Sequence, residues 1–133
     1  MFKTLTVNTS TTTELVDITS ELLQLVAESG IKDGVCFLSV PHTTAGITVN
    51  ENCDPAVTQD IEAALSKLVP YLGDYLHKEG NSAAHIKATL MGSTLTLLIK
   101  KGVLALGRWQ GVYFCEFDGP RKRQVLVRLA GLS

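Results

Sequence analysis

Residues 77–87, HKEGNSAAHIK, set His77 and His85 beside Glu79 and Asn81 around Gly80. The remaining histidine, His42, lies in a second polar cluster, PHTTAGITVNENCDP at 41–55. Imidazole is the natural acid and base near neutral pH and a common metal ligand. A lone histidine is more often a satisfied surface or core group; three confined to two polar clusters shift the balance toward one shared pocket. His77 and His85 lack the i, i+4 spacing that puts two imidazoles on one helix face, so a loop followed by a helix has to converge them. Converged, His42, His77 and His85 could hold one divalent metal, zinc or magnesium, with a fourth position open to water or a phosphate oxygen. Glu79 and Asn81 would then support the ligands or the substrate.

Two further clusters add candidates. His42, Thr43 and Thr44 fall where a buried strand meets a glycine-containing turn, and Asn50, Glu51, Asn52 and Asp54 crowd the start of a helix. A helix start offers free N–H groups and a positive dipole to an anion. The plainer alternative is that Asp54 only caps and Asn52 only turns. In GRWQGVYFCEFDGPRKR, residues 107–123, Trp109 is either core packing or a flat wall for a heterocycle. Glu116 sits in an apolar strand at the parity of Phe114 and needs a cation, a metal or hydrogen bonds there. Arg121, Lys122 and Arg123 follow at a turn. Arginine can bind phosphate through paired hydrogen bonds, whereas a solvated hairpin is an even alternative for Lys122 and Arg123.

The elements that must position these groups can be read from the periodicity. KTLTVNTS (3–10) alternates as a half-buried strand, and ELVDI (14–18) is a second short one. TSELLQLVAESG (19–30) is a helix, capped by Thr19 or Ser20 and stopped at Gly30. GVCFLSVPH (34–42) and GITVNEN (46–52) are strands. DPAVTQDIEAALSKLVP (54–70) is the clearest helix, with Asp54 as cap, Pro55 in the first turn, and Val57, Ile61, Ala64, Leu65 and Leu68 turned inward. A short helix over 82–92 precedes three strands in 93–102, 111–119 and 123–131. Strands at both ends with helices between predict an α+β domain with a largely antiparallel sheet or sandwich, without the alternation of a doubly wound fold. No glycine-rich nucleotide motif occurs.

The whole chain narrows the classes further. Its 133 residues make one domain, 1–133, with 45% hydrophobic and 19% charged residues. A net charge of −1 argues against a nucleic-acid binder. No apolar run approaches a membrane span, and the N-terminus lacks a signal-peptide core, so a cytoplasmic protein is expected. Cys36, Cys53 and Cys115 form an odd set without CxxC spacing and are read as free thiols.

In HTTAGITVNENCDP, HKEGNSAAHIKATLMGS and GRWQGVYFCEFDGPRKR the chain resembles the YjbQ-like family, small proteins described as secondary thiamine-phosphate synthases. The resemblance spans nearly the whole chain. It implies an α+β fold with a β-sandwich or pseudo-barrel capped by helices, and a homotrimer. It also implies a pocket built from His42, Asn50, Glu51, Asp54, His77, Asn81, His85, Trp109, Glu116 and Arg121. His42, Glu51, His77, His85 and Glu116 are the catalytic candidates; Thr43, Thr44, Asn50, Asp54, Asn81, Lys87, Trp109 and Arg121 are the substrate-binding ones. Two departures stand out: Cys53 replaces a small residue, which speaks against a catalytic thiol, and Arg108 replaces a threonine before the Trp-Gln pair.

Three functions fit these residues. In the first, the protein joins hydroxymethylpyrimidine diphosphate to a thiazole phosphate, with Arg121 and Lys87 or a metal on the departing diphosphate, Trp109 as the wall, and Asn50, Glu51 or Asn81 on the pyrimidine. In the second, a histidine-bound metal activates water on a phosphorylated metabolite, with Glu51 or Glu79 as base. The third is a module that binds a metabolite or metal without catalysis.

Overall fold

The computed structural model describes residues 1–132; Ser133, the last residue of the expected domain, lies outside them. The chain runs β1 (Phe2–Asn8), β2 (Glu14–Asp17), α1 (Thr19–Ser29), β3 (Asp33–Ser39), β4 (Ala45–Glu51), α2 (Pro55–Leu68), α3 (Ser82–Met91), β5 (Thr94–Lys100), β6 (Val103–Leu104), β7 (Gln110–Glu116) and β8 (Lys122–Gly131). Five strands form one sheet in the order β1-β8-β3-β5-β6, and three form another in the order β2-β7-β4. Every pairing is antiparallel. The α+β fold with antiparallel sheets and helices set against them is therefore the one expected. No helix among the described residues is long and apolar enough to cross a membrane.

Alternation explains how the sheets meet. Side chains on a strand point to opposite faces in turn, and Val125, Val127 and Leu129 of β8 all turn inward with Cys36 and Leu38 of β3. Opposite them stand Ile47 of β4 and Val112 and Phe114 of β7, while Leu22 and Val26 of α1 close the same core. The other face of β7 is covered as well: Cys115 and, just beyond the strand, Phe117 pack with Ala84 and Ala88 of α3 and Leu65 of α2. That double covering is why β7 reads as an apolar run.

Local signals were met with three differences. Asp54 caps α2 by accepting from the Ala56 N–H at 2.9 Å, with Pro55 in the first turn. For α1 the cap is neither Thr19 nor Ser20. The Asp17 carboxylate accepts from the Thr19 N–H at 2.9 Å and the Thr19 hydroxyl turns to the same carboxylate at 2.5 Å. The inward stripe of α2 is narrower than expected: Val57, Ile61 and Leu65 are half-buried, but Ala64 and Leu68 are exposed. The two-residue β6, too short for alternation to reveal, pairs with β5 after a tight turn at Lys101 and Gly102. All three cysteines are free, Cys53 exposed and the others buried. Burial pushes the Cys36 thiol up to about 11 and the Cys115 thiol up to about 12, which makes both unreactive.

Candidate functional site

Three connections meet at one end of the sandwich: the β3–β4 loop, the segment leading into α3, and the β7–β8 turn. Between them lies a cleft of about 440 Å³, and all three histidines of the chain line it, together with Thr43, Thr44, Asn81, Arg121 and Arg123. His77 precedes Gly80, whose φ of +79° carries the chain back toward α3. His85 then sits one turn into that helix. The two rings meet edge to face with centroids 5.2 Å apart. Gly80 and a helix thus achieve the convergence that spacing alone does not give.

The wall beside this pair is held by Asp118, which the sequence reading did not single out. Its Oδ2 accepts from Asn81 Nδ2 and from Arg121 Nη2, both at 3.0 Å. Arg121 Nε also donates to the Asp118 carbonyl at 2.8 Å. The amide orientation of Asn81 is fixed by this contact, because the reverse would set its oxygen against a carboxylate. Asn81 Oδ1 is consequently left buried without a hydrogen-bond partner among the described residues.

Below the cleft a buried ion pair joins the two sheets. Glu116 ends β7 on the inner face, as its parity with Phe114 requires, and Arg123 opens β8 on the face of Val125 and Val127. Arg123 Nη2 meets Glu116 Oε2 at 2.5 Å, and Nε lies 2.9 and 3.1 Å from the two carboxylate oxygens. The Thr9 hydroxyl and the N–H groups of Phe117 and Asp118 complete the carboxylate's partners. Burial works to raise the Glu116 pKa, but the bonds from Arg123, Thr9 and Asp118 outweigh it and hold it below its ordinary 4.5. Arg123 is therefore no solvated hairpin residue: it is 4% exposed, and Nη2 also donates to Thr44 Oγ1 at 2.8 Å. Period-two reading of RQVLVRLAG places Arg123 with the core valines, the signal that could have found it. Glu116, expected among the catalytic groups, is fully buried and saturated with donors. Its contacts suit it to position Arg123 and Thr44.

His42 is fixed from the other side. Its Nε2 accepts a hydrogen bond from the Gln124 N–H at 2.9 Å. In neutral His42 the proton is therefore on Nδ1. Burial, then the Arg123 guanidinium, hold its pKa below 6.5, against the opposing pull of Glu116. The three histidines do not form an equivalent set for a metal. Two imidazoles on one tetrahedral zinc have centroids about 5 Å apart, which His77 and His85 match at 5.2 Å. A ligating histidine normally donates from its second nitrogen, whereas the second nitrogen of His42 accepts. Among the described residues no three His, Cys, Asp or Glu side chains are gathered as a metal site.

The remaining candidates lie elsewhere. Lys87, on the buried face of α3, is only 4% exposed, with Nζ 5.9 Å from the Phe117 ring centre, and burial lowers its pKa. Asn50, Glu51, Asp54 and Trp109 sit at the opposite end of the three-stranded sheet. Register shows this directly: Ala45 pairs with Glu116 near the cleft, and Glu51 pairs with Gln110 at the far end. At roughly 3.3 Å per residue the two ends are about 20 Å apart. At that far end Asn50 accepts from the Glu51 N–H, Glu51 from the Asp54 N–H, and Arg108 stacks over Trp109 at 4.7 Å. Within one chain these residues do not share the histidine cleft, contrary to the single ten-residue pocket expected from the resemblance. A strand that supplies residues at both ends misleads when distance along the sequence is short.

Comparison with known proteins decides the family. Residues 3–132 match the family described as UPF0047 protein YjbQ-like. The chain belongs to the YjbQ-like UPF0047 family. Among its relatives, a UPF0047 protein of Methanocaldococcus jannaschii is 50% identical over 94% of this chain and 91% of its own. The UPF0047 protein YugU of Bacillus subtilis is 43% identical over 98% and 100%. A crystal structure of a YjbQ/UPF0047 protein from Clostridium acetobutylicum superposes with a TM-score of 0.94 at 52% identity, covering 96% of this chain and 99% of that one. One from Sulfolobus solfataricus, a protein of unknown function, reaches 0.95 at 34% identity, covering 99% and 97%.

Proposed function

We propose that this YjbQ-like chain is an enzyme that acts on a small phosphorylated metabolite held in the histidine cleft. The observation that carries the reading is the convergence of every histidine of the chain on one cleft that also receives Arg121 and Arg123. The exposed Arg121 guanidinium and the Thr43 hydroxyl suit phosphate oxygens, which accept strong charge-assisted bonds, while buried Arg123 contributes its charge from beneath the cleft. His42, neutral and protonated at Nδ1, can donate a hydrogen bond to the ligand. His77 and His85 are the groups that can take up or release a proton as charge develops, a role worth about 10²–10⁴ in rate. Asn81, tied to Asp118, holds the wall beside the imidazole pair. A divalent metal, if bound, would be held by His77 and His85 and would supply an activated water or screen phosphate charge.

A synthase-type second reading is favoured by Trp109, which is 50% exposed beneath Arg108 as a flat apolar wall should be. It requires a neighbouring subunit to bring Trp109 to the cleft, since one chain keeps them about 20 Å apart. Assaying phosphomonoesters, diphosphates and the pyrimidine diphosphate plus thiazole phosphate pair, with and without zinc or magnesium, separates the readings. His85→Ala is expected to lose at least about a hundredfold in turnover with its circular dichroism unchanged. Full activity in that variant would remove the cleft from the chemistry.

A further inference from the structure

A second hollow, of about 500 Å³, adjoins the cleft between β4 and α3. His42, Thr43 and His85 line both hollows. Beyond those shared residues the chemistry changes sharply. The cleft is bordered by arginines and carboxylates, whereas the second hollow adds Ala45, Ala88, Thr89, Gly92 and Ser93 and no charged side chain. Thr89 donates its hydroxyl back to the His85 carbonyl at 2.9 Å, so its methyl is the group left for the hollow.

The walls of this hollow are set by the fold. The C-terminal end of α3 is pressed against β4 at Gly46, where a Cβ would lie 2.8 Å from the Gly92 oxygen and 2.9 Å from Met91 Cβ. The Ile47 N–H bonds the Gly92 carbonyl at 3.0 Å, and the Val40 N–H bonds the Ser93 carbonyl at 2.8 Å. These two carbonyls are thereby satisfied within the protein. What the hollow offers a ligand is an uncharged wall of small residues, Ala45, Ala88 and Gly92, with the Thr43 and Ser93 hydroxyls and two imidazoles at its border.

We infer that the substrate is bipartite: its phosphate occupies the cleft, and a compact uncharged organic group esterified to that phosphate occupies the hollow between β4 and α3. This rests on the phosphate reading of the cleft and adds to it a second subsite and the class of group it takes. The ester linkage then falls beside His42, Thr43 and His85, the residues common to both sides. A third hollow touches His77 and His85 from the far side and is walled by Tyr75, Leu76 and Ile86, but it reaches neither His42, Thr43 nor either arginine, so it does not adjoin the phosphate-binding groups. It is the poorer home for the organic group.

Calorimetric titration with inorganic phosphate and with phenyl phosphate tests this on the intact protein. The wild type is expected to bind phenyl phosphate at least roughly tenfold more tightly than phosphate, the gain from burying an apolar ring. Thr89→Phe, which fills the hollow from α3, should abolish that ratio, and Ser93→Phe, from the opposite lip, should do the same. Ile86→Trp, which fills the third hollow, should leave the ratio intact. A wild type without the preference, or a preference that survives both Thr89→Phe and Ser93→Phe or vanishes only in Ile86→Trp, overturns the subsite. Binding of neither ligand overturns the phosphate reading and this inference with it, whereas binding of phosphate alone leaves the first standing and removes the second.

Discussion

Glu116 and Arg123 show what single residues contribute to the site without touching a substrate. Each is buried at the junction of the sheets, and each satisfies the other. Removing one partner leaves a buried charge uncompensated, which typically costs about 3–5 kcal/mol. Glu116→Gln is accordingly expected to destabilise the protein by that amount at neutral pH, as read from urea unfolding. The pH dependence has a definite sign. A carboxylate held below 4.5 by its native partners binds fewer protons folded than unfolded, so its stabilisation is complete above that value and is lost as pH falls through the native pKa. The gap between wild type and Glu116→Gln should therefore narrow as pH drops below 4.5. A gap that stays constant to lower pH would contradict the ion-pair account.

At the scale of elements, α3 is the part on which the site depends most. It carries His85, lines both hollows, and packs against β4 at Gly46, where an added Cβ would clash with Gly92 and Met91. Gly46→Val should push α3 off the sheet, costing about 1–3 kcal/mol as overpacking does and loosening the His77–His85 contact. Thermal unfolding reads the first effect, and loss of ligand affinity beyond it reads the second; unchanged stability would show that the contact can give. These elements also mark where sequence reading succeeds and fails. Alternation and helix periodicity are local, so every strand but the two-residue β6 and all three helices were legible, and so was the gathering of the three histidines. Which strand ends face each other depends on register between distant segments. Nothing local distinguishes Thr44 from Glu51 on one strand, so the far-end cluster was merged with the cleft. The burial of Arg123 was missed for the opposite reason: its charge left a solvated hairpin and a phosphate ligand evenly weighed, while its place in the alternation put it inside.

The whole molecule has one sheet face unaccounted for. Phe37, Leu98 and Phe2 lie exposed on the outer side of the five-stranded sheet, where Phe37 and Phe2 both stand opposite Arg128. Apolar groups gathered this way mark an interaction surface, and a homotrimer of 14.3 kDa chains is the expected use. Light scattering should give three chains per particle, and Leu98→Lys should shift the protein toward monomer; a monomeric wild type would contradict the trimer. The central claim, that the three histidines serve one phosphate-binding cleft, is tested most directly by following their imidazole signals by NMR during titration with inorganic phosphate. The chain has only His42, His77 and His85 to observe. All three should shift together along one binding curve, with His42 remaining in the Nδ1–H form. Three signals that stay still, or that move with unrelated affinities, would contradict a shared site.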